Sequence, residues 1–331
     1  MGSIKEVAAL AGVSVPTVYK AFSNTYYTSP EIRLRVYEAA KKLNYVPKSL
    51  KNRNSKEEPK TLAVLLDQIV NPFYSRMLEE ATKQFAHTGY RLMVFFNDEN
   101  AAAEKINFDL ALSHKCDGII FVPTPDGDDD MVQTLAEKNF PMLQLFRTVH
   151  TQLDTLLIDD QLGTYLAVKH LIQSGHKKIM LVSKTNSALI KREVGYKRAF
   201  DEAGYEVNDE FLYLISYSEC NKEMIKQKVK KLSPTAILSV GENTSVNVLQ
   251  ALKEMNLAIP EDISLIIYDD LPWAAPYGIT TVAHSYETLA KMIADMVDKL
   301  FFPEKKGEEV GPARIVLDPM LIARDSVKII K

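Results

Sequence analysis

From residue 61 onward, short apolar runs alternate with stretches whose apolar positions recur every three or four residues. Thr61-Leu62-Ala63-Val64-Leu65-Leu66 is such a run. It lacks the polar alternation of a half-exposed strand and fits one buried on both faces, as in a parallel sheet. The pattern predicts strands over 61–67, 91–96, 117–122, 141–146, 156–158, 178–183, 211–216, 235–240, 263–268 and 315–317. Helices are predicted over 74–88, 101–114, 129–138, 161–174, 191–203, 221–232, 243–256 and 286–301. Strands and helices in this order make open parallel sheets with helices on both faces. Ligands of such sheets sit beyond the carboxyl ends of the strands.

The first sixty residues follow another pattern. Ile4, Val7, Ala8, Ala11 and Val13 keep helical spacing, Gly12 interrupts it, and Ser14 is placed to cap a second helix with Pro16 near its start. That helix is expected to turn Val18, Ala21 and Phe22 inward and Val15, Pro16, Thr17, Tyr19 and Lys20 outward. A third begins near Ser29-Pro30-Glu31 and buries Ile32, Val36, Ala39, Ala40 and Leu43. Two short helices joined through Gly12-Val13-Ser14 form a helix-turn-helix, which sets the start of its second helix into the major groove of DNA. Lys48 to Lys60 (KSLKNRNSKEEPK) is polar and charged and reads as a linker.

Charge separates the same two regions. The chain of 331 residues carries a formal charge of -3, but residues 1–60 hold 11 basic against 5 acidic side chains, leaving 29 against 38 for the rest. A basic head on an acidic body points to a polyanion partner for the head, the plain alternative being a solvated lysine-rich face. The length fits two or three domains. No stretch approaches the roughly 20 apolar residues of a membrane span, and the opening Met1-Gly2-Ser3-Ile4-Lys5-Glu6 lacks a signal peptide's apolar core, so a cytoplasmic protein is expected. Cys116 and Cys220 are too few for a disulfide framework or a zinc site, and the six histidines show no metal-ligand spacing. Neither G-x-S-x-G, G-x-x-x-x-G-K-[ST] nor H-E-x-x-H occurs. Asp159-Asp160 and Asp269-Asp270 are chain neighbours, not a facing carboxylate pair. Neither catalysis nor a cofactor or metal is expected.

The head motif IKEVAALAGVS-x-x-TV, followed by S-x-E-x-R-x-R-V-x-x-A-A-x-x-L-x-Y-x-P, resembles the headpiece of the lactose-repressor (LacI/GalR) family. An ordered series continues the resemblance over almost the whole chain: Asn71-Pro72-Phe73-Tyr74, Asp117-Gly118-Ile119-Ile120, Gly175-His176-Lys177-Lys178-Ile179, Ile259-Pro260-Glu261-Asp262-Ile263-Ser264, Tyr268-Asp269-Asp270, Ile279-Thr280-Thr281-Val282 and Pro319-Met320-Leu321-Ile322-Ala323-Arg324-Asp325-Ser326. The resemblance implies an all-α helix-turn-helix headpiece (1–47), a hinge (48–60) and an α/β two-lobed periplasmic-binding-protein-like body with parallel sheets (61–331). Lobe 1 would hold about 61–160 and 286–318, and lobe 2 about 161–283 and 319–331. The family's base-reading positions correspond to Val15, Pro16 and Lys20, with Ser14, Thr17, Tyr19 and Asn24 as neighbouring DNA contacts. Lys20 is suited to guanine O6 and N7, whereas Val15 and Pro16 offer only shape or contact with a thymine methyl. The family's hinge usually reads Pro-Asn-x-x-Ala-Arg-x-Leu and wedges its leucine into the minor groove. Here Asn54 takes the leucine position, leaving Lys51 and Arg53 as phosphate partners.

The same resemblance implies an effector held between the lobes by Phe73, Tyr74, Thr124, Arg147, Arg192 (in Arg-x-x-Gly-Tyr), Tyr217 and Asp269. Asp269 would accept from hydroxyls or an amine, and Arg192 would offer a planar fork. Phe146 and Gly241 depart from the usual Asp and Asn, which weakens the case for a typical neutral sugar, and Arg147, Arg192 and Lys184 add an anionic or phosphorylated small molecule, such as a sugar phosphate, to the expected ligands beside a sugar. The expected protein is a ligand-controlled repressor binding a palindromic operator as a homodimer, a dimer being favoured over a tetramer because no tetramerising heptad tail follows Lys331. The alternatives are a two-lobed small-molecule sensor or binding protein whose DNA binding is weak or depends on a partner, a pure ligand-binding or transport module, and a regulator assisted by a protein co-regulator.

Overall fold

The structure, a computed structural model, describes residues 3–22, 28–43, 45, 60–86, 88–127, 129–184, 189–215, 221–302 and 311–330. The chain divides into two units, Met1–Pro59 and Lys60–Lys331.

In the first unit three helices enclose a core of small side chains. α1 (Ile4–Ala11) opens on a capping box in which Ser3 and Glu6 satisfy each other's backbone N–H groups, and it stops at Gly12 in the left-handed conformation (φ 67°). α2 (Val15–Phe22) starts where the Ser14 hydroxyl accepts from the Thr17 N–H at 3.4 Å and meets its hydroxyl at 2.8 Å. α3 (Pro30–Lys42) follows Ser29, whose hydroxyl accepts from the Ile32 N–H. Val7, Ala8, Ala11, Val18, Ala21, Val36, Ala39 and Ala40 are buried together. One expectation is corrected: Val15 is half-buried and packs against this core, because the first turn of α2 leans onto it.

The second unit holds two six-stranded sheets. In lobe 1, β1 (Thr61–Leu66), β2 (Arg91–Phe96), β3 (Gly118–Phe121), β4 (Met142–Leu145), β5 (Asp154–Ile158) and β11 (Arg314–Leu317) pair in the order β11-β5-β4-β3-β1-β2, all parallel. In lobe 2, β6 (Ile179–Lys184), β7 (Leu212–Ile215), β8 (Ala236–Ser239), β9 (Ser264–Tyr268), β10 (Thr280–Ala283) and β12 (Met320–Ile322) take the order β12-β10-β9-β8-β6-β7. There β12 alone runs antiparallel. The chain crosses between lobes three times, after β5, after β10 and after β11.

Each sheet is covered on both faces. Leu62, Val64 and Leu66 meet α4 (Pro72–Ala86) and α11 (Tyr286–Phe301), while Ala63 and Leu65 between them meet α5 (Ala101–Ser113) and α6 (Asp129–Glu137). In lobe 2, Ile179 and Leu181 pack with α7 (Asp160–Gln173) and α8 (Leu189–Glu202), and Met180 and Val182 with α9 (Lys222–Leu232) and α10 (Glu242–Glu254). This double coverage makes the strands read as unbroken apolar runs.

β10 and β12 were not expected. β10 is half threonine, and its polar groups find partners in the chain end: the Thr280 N–H donates to Ser326 Oγ, and its hydroxyl accepts from the Arg324 N–H. The helix expected from residue 74 begins at Pro72, whose fixed φ suits a first turn. Asn71 caps it, its side-chain oxygen accepting from the Phe73 N–H at 3.1 Å.

Candidate functional site

On the head, Ser14, Pro16, Tyr19 and Lys20 are exposed along α2, Tyr19 by 51% of its surface, and Thr17 is half-buried under the Ser14 cap. A lysine, an aromatic ring and a hydroxyl side by side on a helix start suit phosphate and base-edge contacts. Asn24, Lys51, Arg53 and Asn54 lie outside the described residues, as does the side chain of Phe22.

In the body, a cavity of about 240 Å³ opens where the carboxyl ends of strands from both sheets meet. Phe73, Tyr74, Arg147, Arg192 and Asp269 all line it. Thr124 does not: it is buried behind the wall, its N–H and hydroxyl donating to the Glu104 carboxylate at 2.8 and 3.1 Å. Tyr217 and the side chain of Lys184 lie outside the described residues. Sequence reasoning missed Asp67, Glu99, Asp160, Glu242 and His284 as lining residues. The signal was present for the first two, which follow β1 and β2 as closely as the chosen residues follow their strands.

One wall is aromatic. Phe73 and Tyr74 sit on the first turn of α4, with ring centroids 5.3 Å apart, and Phe73 meets Phe146 and His284, each at 5.1 Å and edge-on. Burial, and then the charge of Arg76, push His284 down to about 4, so its ring is neutral near pH 7.

The other wall is ionic. The Arg192 guanidinium holds Asp160 Oδ1 from Nη2 at 2.9 Å and from Nε at 3.0 Å, with both side chains well buried at 14% and 12% exposure. It lies 5.4 Å over the Tyr268 ring, whose hydroxyl donates to the Asp160 carbonyl at 3.0 Å. Arg-x-x-Gly-Tyr now has a physical account. Gly195 lets α8 press on α7, since a Cβ there would stand 2.2 Å from the Gln161 carbonyl oxygen. Tyr196 is buried and donates to the Ile179 carbonyl. Arg192 is thereby aimed at the cleft.

Arg147, from lobe 1, pairs with Glu99 and donates to the Pro123 carbonyl at 3.0 Å. Both guanidiniums that suggested an anionic ligand are therefore already matched to carboxylates. Asp269, left-handed at φ 68°, is pushed up to about 6 by burial, which Arg192 partly offsets. Burial also raises Glu242.

The double aspartates divide their tasks. Asp159 caps α7 and Asp160 pairs with Arg192, while Asp269 faces the cavity and Asp270 binds Arg324 at 2.9 Å. Among the described residues no group of acids, histidines or cysteines is arranged to hold a metal, and no helix is long and apolar enough to cross a membrane.

Comparison with known proteins places both units. Residues 3–48 match the lacI family of bacterial regulatory proteins and residues 168–327 the periplasmic binding protein-like domain. Over 333 residues the chain is 26% identical to the HTH-type transcriptional regulator DegA of Bacillus subtilis (strain 168), covering 98% of this chain and 97% of that protein. The fold is shared with the transcriptional regulator CelR-cellobiose complex (TM-score 0.68, 24% identity, 98% of this chain and 100% of that one). It is also shared with the lac repressor dimer bound to operator and the anti-inducer ONPF (TM-score 0.71, 21% identity, 99% of each). The chain belongs to the lacI family of bacterial regulatory proteins and is a DNA-binding transcriptional regulator with an effector-binding α/β body.

Proposed function

We propose that this regulator is a cytoplasmic repressor acting as a twofold homodimer, in which α2 of each head reads one half of a palindromic operator. Lys20 supplies base discrimination by donating to guanine, and Ser14, Pro16, Thr17 and Tyr19 set the register of the helix. A small effector enters the cleft, stacks on Phe73 and Tyr74, and is oriented by Arg192 and Asp269. The observation that carries this reading is that the cavity's walls belong to two different sheets joined by three crossings. A ligand touching both walls favours one lobe arrangement over another, which is what a switch requires.

Lobe 2 offers a surface for the second copy. Val246, Leu249, Trp273 and Tyr277 line an apolar groove on its outside, Tyr277 being 77% exposed. The related lac repressor structure is itself a dimer.

The test uses labelled duplex recovered by selection, with any small molecule that raises the melting temperature of the full chain. Such a ligand is expected to change DNA affinity by about tenfold or more, the scale of a coupling of 1–3 kcal/mol. Phe73→Ala should weaken that response. DNA affinity indifferent to every stabilising ligand would overturn the switch.

A further inference from the structure

We infer that the effector carries a protonated amine beside its hydroxyls, so that its chemical class is a small polyhydroxylated amine such as an amino sugar. The inference rests on the cleft being the effector site. Five carboxylates line the cavity (Asp67, Glu99, Asp160, Glu242 and Asp269) against two guanidiniums, Arg147 and Arg192. Glu99 and Asp160 each hold one of those arginines. Glu242 and Asp269 are held by neither arginine, and His284 adds no positive charge because it is held neutral.

Glu242 has a local reason for its charge. It opens α10 behind Gly241, which provides no side-chain cap, and a carboxylate on the first turn is favoured by the helix dipole. Asp269 has none. It follows β9, opens no helix, and makes no side-chain hydrogen bond or ion pair among the described residues, although it is half-buried in the wall. A half-buried carboxylate without a dedicated partner is costly, and a ligand ammonium is the group that would offset it. A hydroxyl donates to it but brings no charge. A phosphate would meet a negative field with both arginines already engaged. The cavity is smaller than the roughly 300–1,000 Å³ of drug-sized ligand sites, which fits a single ring.

The groups facing Asp269 set its pH behaviour: Arg192 on α8, Asp160 on α7, Glu242 on α10, Tyr268 on its own strand, and Tyr74 and Tyr286 from lobe 1. The tyrosines are all raised by burial and stay neutral, and Asp269, raised to about 6, changes its charge between pH 5 and 7. Affinity for an ammonium should therefore fall as pH drops through about 6.

The experiment is calorimetry on the full chain with three matched sets of probes, each sugar taken as its amine, its neutral parent and its 6-phosphate, in the gluco, galacto and manno series. In at least one series the amine should bind about tenfold or more tighter than its parent, the scale of a charge-assisted hydrogen bond, with the phosphate weakest. Asp269→Asn should remove that preference while the chain stays folded, its melting temperature at pH 7 no lower than that of the unsubstituted chain. A parent or phosphate that binds as tightly as its amine, or no amine bound at millimolar concentration, overturns the inference. Phe73→Ala, used where it remains folded, separates the two failures. Binding of a parent sugar that this change abolishes leaves the cleft standing and removes only the amine, whereas binding it leaves untouched removes the cleft as well.

Discussion

β4 and β9 occupy the same place in their two sheets, third from the edge strand in each order, and each hands the chain to a non-glycine residue in the left-handed region at the cleft: Phe146 (φ 64°) and Asp269 (φ 68°). The lobes thus repeat one backbone device and fill it with opposite chemistry. Phe146 packs its ring on Phe73, and Asp269 places a carboxylate near Arg192. Aspartate tolerates this conformation and phenylalanine is an outlier there, a strain that persists only where surrounding contacts hold it. The difference teaches that lobe 1 supplies chiefly a face for a ring and lobe 2 chiefly the groups that orient it.

Breaking lobe 2's wall should have the largest effect. Arg192→Ala leaves Asp160 buried without its partner and should cost about 3–5 kcal/mol in urea unfolding of the full chain; a loss within error would mean the pair is solvated. Phe73→Ala removes the centre of the aromatic wall and should cost about 3 kcal/mol, read in the same way.

Gly195→Ala drives a methyl toward the Gln161 carbonyl oxygen and should cost about 2 kcal/mol while weakening ligand binding, because α8 carries Arg192. Unchanged ligand affinity would show that Arg192 is positioned by other means.

Asp269→Asn should stabilise the chain. A carboxyl raised to about 6 when folded and near 3.8 when unfolded binds more protons in the folded state, so its cost is fully present above about 6 and gone below about 4. The gain should be about 2 kcal/mol at pH 7 and vanish at pH 4, compared at each pH with the unsubstituted chain so that His284 cancels. The smallest effect on folding belongs to Tyr277→Asp, which should leave the melting temperature nearly unchanged yet shift sedimentation from dimer to monomer.

Much of this was legible in the sequence. Double coverage of the sheets made the strands unbroken apolar runs, and Ser14, Pro16 and the Val18-Ala21 spacing gave the second helix of the head. Phe73, Tyr74, Arg147 and Asp269, which follow parallel strands, and Arg192, which the family resemblance pointed to, all line the cavity. What stayed hidden depended on distant partners. β10 is completed by Arg324 and Ser326, and Thr124 turns inward to Glu104. Glu99 stands 48 residues from Arg147, and Asp160 stands 32 from Arg192. A sequence displays its arginines but not the acids that neutralise them, and so the cleft looked more cationic than it is.

The most direct test of the account is selection of bound duplexes from random DNA by the full chain and by its Lys20→Ala variant, with affinities taken at two salt concentrations. The account predicts a palindromic motif with constant half-site spacing, and a loss of preference at one position per half-site in Lys20→Ala worth about 1–3 kcal/mol. No enriched motif at either salt, or the same motif and affinity from both proteins, would contradict it.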